Sequence, residues 1–336
     1  MSFKNKWLIL SGMLTLKRQV NVNNRHHDLL ASNASANKSD TALNPNSASM
    51  DLEAFCALVR TRGRELYRDL PWRRTYDPYA IWISEVMLQQ TQVSRVMDRW
   101  QRWLERFPTV DALAAAAPAD VLEEWQGLGY NRRALLVHKA SQLISESGGV
   151  FPHEVKELVS LPGIGPATAA GIRAFSWNLH GVYLETNVRA VFLHELYPDA
   201  EGVPDSELIP LVEKTCPSDD PFRERPNDNP RSWYYALLDY GAQLKKTLPN
   251  PGRRSKTHVR QSKFEGSHRQ KRATLLRLLL AHRDAGGTTA ETLAKELNSV
   301  EVAAGREALH MGAVLGLLEE LAKEGFCYLR GDIWCA

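Results

Sequence analysis

"LPGIGPATAA", Leu161 to Ala170, sets two glycines two residues apart, with prolines on either side, where the helical patterns "PHEVKELVSL" and "ATAAGIRAFSW" meet. Glycine costs chain entropy, and it is used where φ must be positive or where another molecule must approach the backbone closely. A tight turn between two helices meets the first condition. A junction whose N–H groups face a phosphate meets the second. The stretch alone leaves both readings open, so its surroundings decide.

Outward from it, residues 51–244 read as helix almost throughout. "DPYAIWISEVMLQQTQVSRVMDRWQRWLERF" is opened by Asp77 with Pro78 just inside, and forms one long helix or two joined near Gln90. "TVDALAAAAPADVLEEW" gives two short helices, and "RRALLVHKASQLISESGG" ends on a glycine pair suited to a C-cap. No convincing alternation marks a sheet here. Further on, "RQKRATLLRLLLAHRDAGG", "TTAETLAKELN" (Thr288 or Thr289 as N-cap) and "EVAAGREALHMGAVLGLLEELAKEG" precede "FCYLRGDIWCA", two β-like runs across "RGD". Three helices and a hairpin is the order of a winged helix. The predicted fold class is mainly α: a disordered tail at 1–50, a helical domain at 51–244, a basic linker at 245–266 and a small winged-helix-like domain at 267–336.

Composition narrows the class. No run of 18 apolar residues exists, so no membrane helix is expected. The start, "MSFKNKWLILSGMLTL", has the outline of a secretion signal, but no small-x-small cleavage site follows and Lys17 and Arg18 come next. Residues 22–49 are rich in Asn, Ser and Ala and carry no periodicity. The cysteines, Cys56, Cys216, Cys327 and Cys335, form no C-x-x-C pair, which argues against a disulfide framework or a zinc site and fits reduced thiols in the cytoplasm. The net charge of +3 hides an asymmetry: residues 245–277 hold eleven Lys and Arg against one Glu. Such a strip is either a solvated linker or a track for phosphates, with Arg253 and Arg254 as candidate contacts. The winged-helix-like region is net acidic, which favours a positioning or interaction role.

Two carboxylates carry the chemistry. Glu85 lies in "AIWISEVMLQQTQV", where Ile81, Trp82, Leu88 and Gln89 share its face and apolar residues cover the other sides. Burial there disfavours its ionised form, so the group moves towards one that delivers a proton, unless an arginine pairs with it. Glu185, in "GVYLETNVRAVF", immediately precedes a helix, where free N–H groups and the dipole favour the anion. It is a structural cap or a functional anion. Two carboxylates in opposite states are what cleavage of a glycosidic bond needs.

The order "LPWR", "SEVMLQQTQV", "GLGYNRRA", "LPGIGPATAA", "LETNV" resembles the helix-hairpin-helix DNA glycosylase superfamily, and within it the MutY-type adenine DNA glycosylases, over roughly Leu70 to Leu244. The resemblance implies a two-lobed helical domain and base excision repair by hydrolysis of the N-glycosidic bond of a flipped adenine mispaired with 8-oxoguanine or G in duplex DNA; a glycosylase of the same fold removing uracil or thymine opposite G, or a damaged-DNA-binding protein without chemistry, is the alternative. It implies Glu85 as the proton donor and Glu185 as the second carboxylate. It places Gln89, Gln90, Thr91 and Tyr130 at the gap in the duplex, and Leu161, Gly163, Ile164 and Gly165 at the phosphate, with a monovalent cation at the hairpin. It also places Asn187 behind Glu185. A monomer, in the cytoplasm at the nucleoid, is expected.

Three departures bear on this. The family has Asp where Glu185 stands. The family's four cysteines for a 4Fe–4S cluster have no counterpart in "DYGAQLKKTLPNPGRRSKTH", so no cluster is expected. The large C-terminal domain that reads oxidised guanine is replaced by the winged-helix-like unit. The hairpin lysine with which endonuclease III-type relatives nick the strand is Ala167 here, so an abasic product without strand cleavage is expected.

Overall fold

The computed structural model describes residues 51–259 and 262–336; the expected tail at 1–50 lies outside them. The helical domain is α1 (Leu52–Glu65), α2 (Pro78–Leu88), α3 (Val93–Arg106), α4 (Val110–Ala115), α5 (Pro118–Trp125), α6 (Arg132–Glu146), α7 (Val155–Ser160), α8 (Pro166–Trp177), α9 (Thr186–Glu195), α10 (Asp205–Thr215) and α11 (Pro230–Thr247). Of the two readings of 78–106, the structure takes the second. α2 stops at Leu88 and α3 starts at Val93, because Gln90 turns into left-handed backbone at φ 54°. Asp77 caps α2 by accepting from the N–H groups of Tyr79 and Ala80, with Pro78 at the first helical position.

Apolar side chains gather in two clusters. The first is fed by α2 to α8, with Trp82, Trp103, Trp125 and Leu158 among its fully buried members. The second is built from α1, the C-terminal half of α8, and α9, α10 and α11, around Phe55, Phe192 and Tyr234. α9 and α1 both pack on α11, while α2 packs on α8. The chain thus starts in the second cluster, crosses to build the first, and returns. Glu85 on α2 and Glu185 at the start of α9 come from the two sides of that crossing.

The C-terminal region holds α12 (His268–Ala281), β1 (Thr288–Thr289), α13 (Ala290–Ala303), α14 (Met311–Lys323), β2 (Tyr328–Arg330) and β3 (Ile333–Cys335). The strands form one antiparallel sheet in the order β1-β3-β2. The hairpin is where "FCYLRGDIWCA" placed it. β1 went unseen because two residues display no alternation, and Thr289 both ends this strand and caps α13 through Thr292 N–H. Leu275, Leu279, Leu293, Leu297, Leu318 and Trp334 are contiguous with the first apolar cluster. Arg283 also reaches Asp120 at 2.6 Å. The C-terminal helices therefore share the core of the first lobe.

The basic strip is several things. Lys245 and Lys246 end α11, which runs three residues past the predicted limit of 244, and residues 251–254 form a 3-10 helix packed on α9. No helix among the described residues is long and apolar enough to cross a membrane.

Candidate active site

α2 buries every residue from Tyr79 to Met87 except Glu85, which is half-buried. Burial pushes its carboxyl up to about 8. The hydrogen bond from Tyr183 and the charge of Arg73 oppose the shift, and the negative charge of Glu185 adds to it. The Tyr183 hydroxyl donates to Glu85 Oε2 at 2.8 Å, which leaves Oε1 as the oxygen free to carry a proton. Burial and the two carboxylates hold the Tyr183 phenol well above its ordinary range, so it stays a donor. Gly171 of α8 closes the arrangement, because a Cβ there would lie 2.6 Å from Glu85 Oε2 and 2.7 Å from the Tyr183 ring. Neither Tyr183 nor Gly171 was expected from the sequence.

Glu185 is the N-cap of α9. Its Oε2 accepts from Thr186 N–H at 2.7 Å and from the Thr186 hydroxyl at 2.9 Å, while Oε1 accepts from Asn187 N–H and Nδ2, both at 3.4 Å. Lys245 Nζ donates to Asn187 Oδ1 at 3.0 Å and so holds the amide with its Nδ2 towards Glu185. The start of α9 is pressed onto α11 at Gly241, where a Cβ would fall 2.2 Å from the Asn187 carbonyl oxygen.

Near Glu85, Arg73 of "LPWR" meets Asp239 of "DYGA" through two hydrogen bonds of 2.7 and 2.8 Å, and Arg68 adds a third at 2.5 Å. The Arg73 and Asp239 side chains are almost wholly buried, so removing Asp239 would strand the Arg73 charge at a cost of about 3–5 kcal/mol.

The loops expected at the duplex gap do come together. Gln90 (φ 54°) and Tyr130 (φ 49°) are both non-glycine residues in left-handed backbone, a strain that persists only where surrounding contacts enforce it. Arg133 enforces it. Its guanidinium donates to the carbonyls of Val86 (2.5 Å) and Gln89 (2.7 Å) on one side, and to Gly129 O (2.9 Å) and Thr91 Oγ1 (3.2 Å) on the other. Thr91 Oγ1 donates to Leu128 O at 3.2 Å, and Gln89 Nε2 reaches Thr168 of α8 at 3.3 Å. One residue of the "GLGYNRRA" motif thus binds both loops to the end of α2. Arg133→Ala is expected to lower stability by about 2 kcal/mol or more, since charge-assisted bonds contribute about 1.5–3 kcal/mol each. Faster amide hydrogen exchange at 89–91 and 128–130 checks it.

At the hairpin the two glycines do different work. Gly163 has φ +81° and its missing Cβ would crowd Leu136 at 2.9 Å, so it serves the turn. Gly165 has ordinary backbone (φ −86°) and caps α8, and a Cβ there would meet nothing within 4 Å. Open space before free helix N–H groups is what an approaching phosphate needs. Of the flanking side chains expected at DNA, Ile164 is buried in the core and Leu161 packs at its edge, so only their backbones are offered.

Arg254 also serves the fold. Its guanidinium donates to the carbonyls of Leu193, Tyr197 and Pro198, clasping the end of α9. Its N–H groups are engaged there, while Arg253 is exposed. The residues do not fit a cubane cluster either. The segment after Gly241 holds no thiol, Cys56 and Cys216 belong to the second lobe and Cys327 and Cys335 to the C-terminal region, and no group of three or more metal-binding side chains assembles among the described residues.

Comparison with known proteins places these motifs. The chain is 38% identical over 179 residues to an adenine DNA glycosylase of Mycolicibacterium smegmatis, covering 53% of this chain and 58% of that protein. It is 34% identical over 178 residues to an adenine DNA glycosylase of Buchnera aphidicola subsp. Baizongia pistaciae, covering 53% and 48%. The chain therefore spans about half the length of these relatives. Among solved structures, a thermostable thymine-DNA glycosylase aligns at 21% identity and a TM-score of 0.48, over 57% of this chain and 86% of that one. A family model matches residues 83–255, just over half the chain and all of the site described above except Arg68 and "LPWR". The chain belongs to the HhH-GPD superfamily of base excision DNA repair proteins.

Proposed function

We propose that this protein is a monofunctional DNA glycosylase that releases a flipped, mispaired adenine from duplex DNA. The observation that carries the reading is the pair of carboxylates in opposite settings, Glu85 with its pKa pushed up to about 8 by burial and Glu185 held at the start of α9 by two of its N–H groups. The relatives' names supply the base. Glu85 gives its proton to the departing adenine, the C1′–N bond breaks, and Glu185 faces the developing oxocarbenium ion. Water adds its hydroxide equivalent to C1′, and its remaining proton returns the acid to its starting form. The products are free adenine and an abasic site. Ala167 offers no amine at the hairpin, and the amine of Lys245 is held by Asn187.

Single-turnover assays on duplexes carrying A, U, T or hypoxanthine opposite G or 8-oxoguanine test this. Adenine release without alkali-independent nicking is expected. Release of another base in preference to adenine overturns the substrate, and trapping of a Schiff base by borohydride overturns the monofunctional assignment. Gly171→Ala is a further check. Displacing the Glu85 carboxyl by even part of an ångström should slow release at least about tenfold, because misplacement of a catalytic group by about 1 Å costs on the order of a hundredfold. An unchanged rate would show that Gly171 has no part in placing the acid.

A further inference from the structure

A cavity of about 490 Å³ opens between α1, the segment 67–76 and the start of α11, and neither catalytic carboxylate lines it. Its walls carry Arg60, Arg64, Arg73, Arg223 and Arg231 against one carboxylate, Asp228, which is taken by Arg60 at 2.6 Å. Arg73 is taken by Asp239. Arg231 gives its N–H groups to the carbonyls of Phe175, Arg73 and Thr75, but among the described residues neither Arg64 nor Arg223 has a carboxylate partner, so the cavity holds uncompensated positive charge.

A further observation points to a ligand. Arg223 is a non-glycine residue in left-handed backbone (φ 59°), and its guanidinium lies 3.5 Å from the ring centroid of Tyr76, with that of Arg231 at 4.0 Å. Backbone strain of this kind collects at ligand clamps.

The chemistry on offer is one-sided. Guanidinium groups donate and do not accept, so the complement is an anion rich in acceptor oxygens. Tyr67 and Tyr76, both exposed, add aromatic surface suited to a planar ring. The volume is within the range of small-molecule sites. We propose that this cavity binds a nucleoside phosphate, either free or as the phosphorylated end of a strand, at a site separate from the catalytic groove. The assignment does not depend on which base the enzyme excises.

Calorimetric titration of the full chain tests it, with deoxyadenosine monophosphate, deoxyadenosine, inorganic phosphate and a 5′-phosphorylated single strand as probes. Each titration is run with and without saturating duplex that blocks the groove. One-to-one binding of the monophosphate is expected to survive the duplex and to weaken on the order of tenfold or more in Arg223→Glu. Tyr76→Ala should weaken it as well, and deoxyadenosine and phosphate should each bind more weakly than the monophosphate. Both altered side chains are partly or fully exposed, and circular dichroism confirms that the variants fold. Tighter binding of the 5′-phosphorylated strand supports the strand-end source, and tighter binding of the mononucleotide supports the free one. Displacement by duplex, equal affinity in Arg223→Glu, or no saturation by any of the phosphates overturns the proposal.

Discussion

Glu85→Gln is expected to bind mismatched duplex as the parent does and to release base at least about a hundredfold more slowly. The amide keeps the shape that Gly171 and Tyr183 enclose but has no proton to give. The parent's rate should carry the signature of that proton, flat on the acid side and falling roughly tenfold per pH unit above about 8, as the raised carboxyl ionises. Stability should follow the same group. The folded chain holds this proton after the unfolded chain has lost it, so stability declines as pH climbs from the ordinary value of 4.5 towards about 8. Glu85→Gln removes that slope. Denaturant titrations of both proteins at each end of the window measure the difference. A parent rate that climbs through pH 8 would mean that the ionised form is the active one.

For Glu185→Gln the expected loss in single-turnover rate is also about a hundredfold or more, because a neutral amide offers no counter-charge to the cationic sugar. Glu185→Asp separates placement from charge. Aspartate is an excellent N-cap, so α9 should fold normally. The start of α9 packs closely on α11 at Gly241, which limits its shift towards that helix to make up for a shorter side chain. A drop of about tenfold or more is therefore expected although the charge is kept, given how steeply rate depends on the placement of a catalytic group. A full rate in Glu185→Asp would mean that the extra methylene is incidental. Full rates in both glutamine variants would leave a DNA-binding protein without the proposed chemistry.

The sequence disclosed what is local. Helix periodicity, the caps at Asp77 and Glu185, the break near Gln90 and the exposed character of the hairpin are set by neighbours within a few residues. Groups that act across the chain carried no such signal. Tyr183 meets Glu85 over 98 residues, and Arg133 reaches Val86 over 47. Nothing in "VYLET" distinguishes a donor to a buried carboxyl from a core tyrosine. Gly171 and Gly241 lie within stretches that read as plain helix, and nothing local marks the atoms that crowd them. Arg254 shows the converse, for counting cations along a strip gives their number but not their partners, and its partners are three carbonyls at a helix end.

The second lobe is closed by the first helix and the last ones. Arg60 in α1 and Asp228 just before α11 are 168 residues apart, and Arg73 and Asp239 are separated by 166. Contacts at such separation form slowly, because the loop entropy is lost before the contact gives anything back. On the ribosome α1 emerges with Phe55 and Val59 uncovered, and their cover is complete only when α9 and α11 have been synthesised. Pairs close in sequence, such as α2 with α3 and α7 with α8, have no such wait. A nascent chain thus acquires the hairpin at 163–165 and the scaffold of Glu85 first, and completes the seat of Glu185 only when Gly241 arrives. The part that would grip DNA is made before the part that would commit it to chemistry.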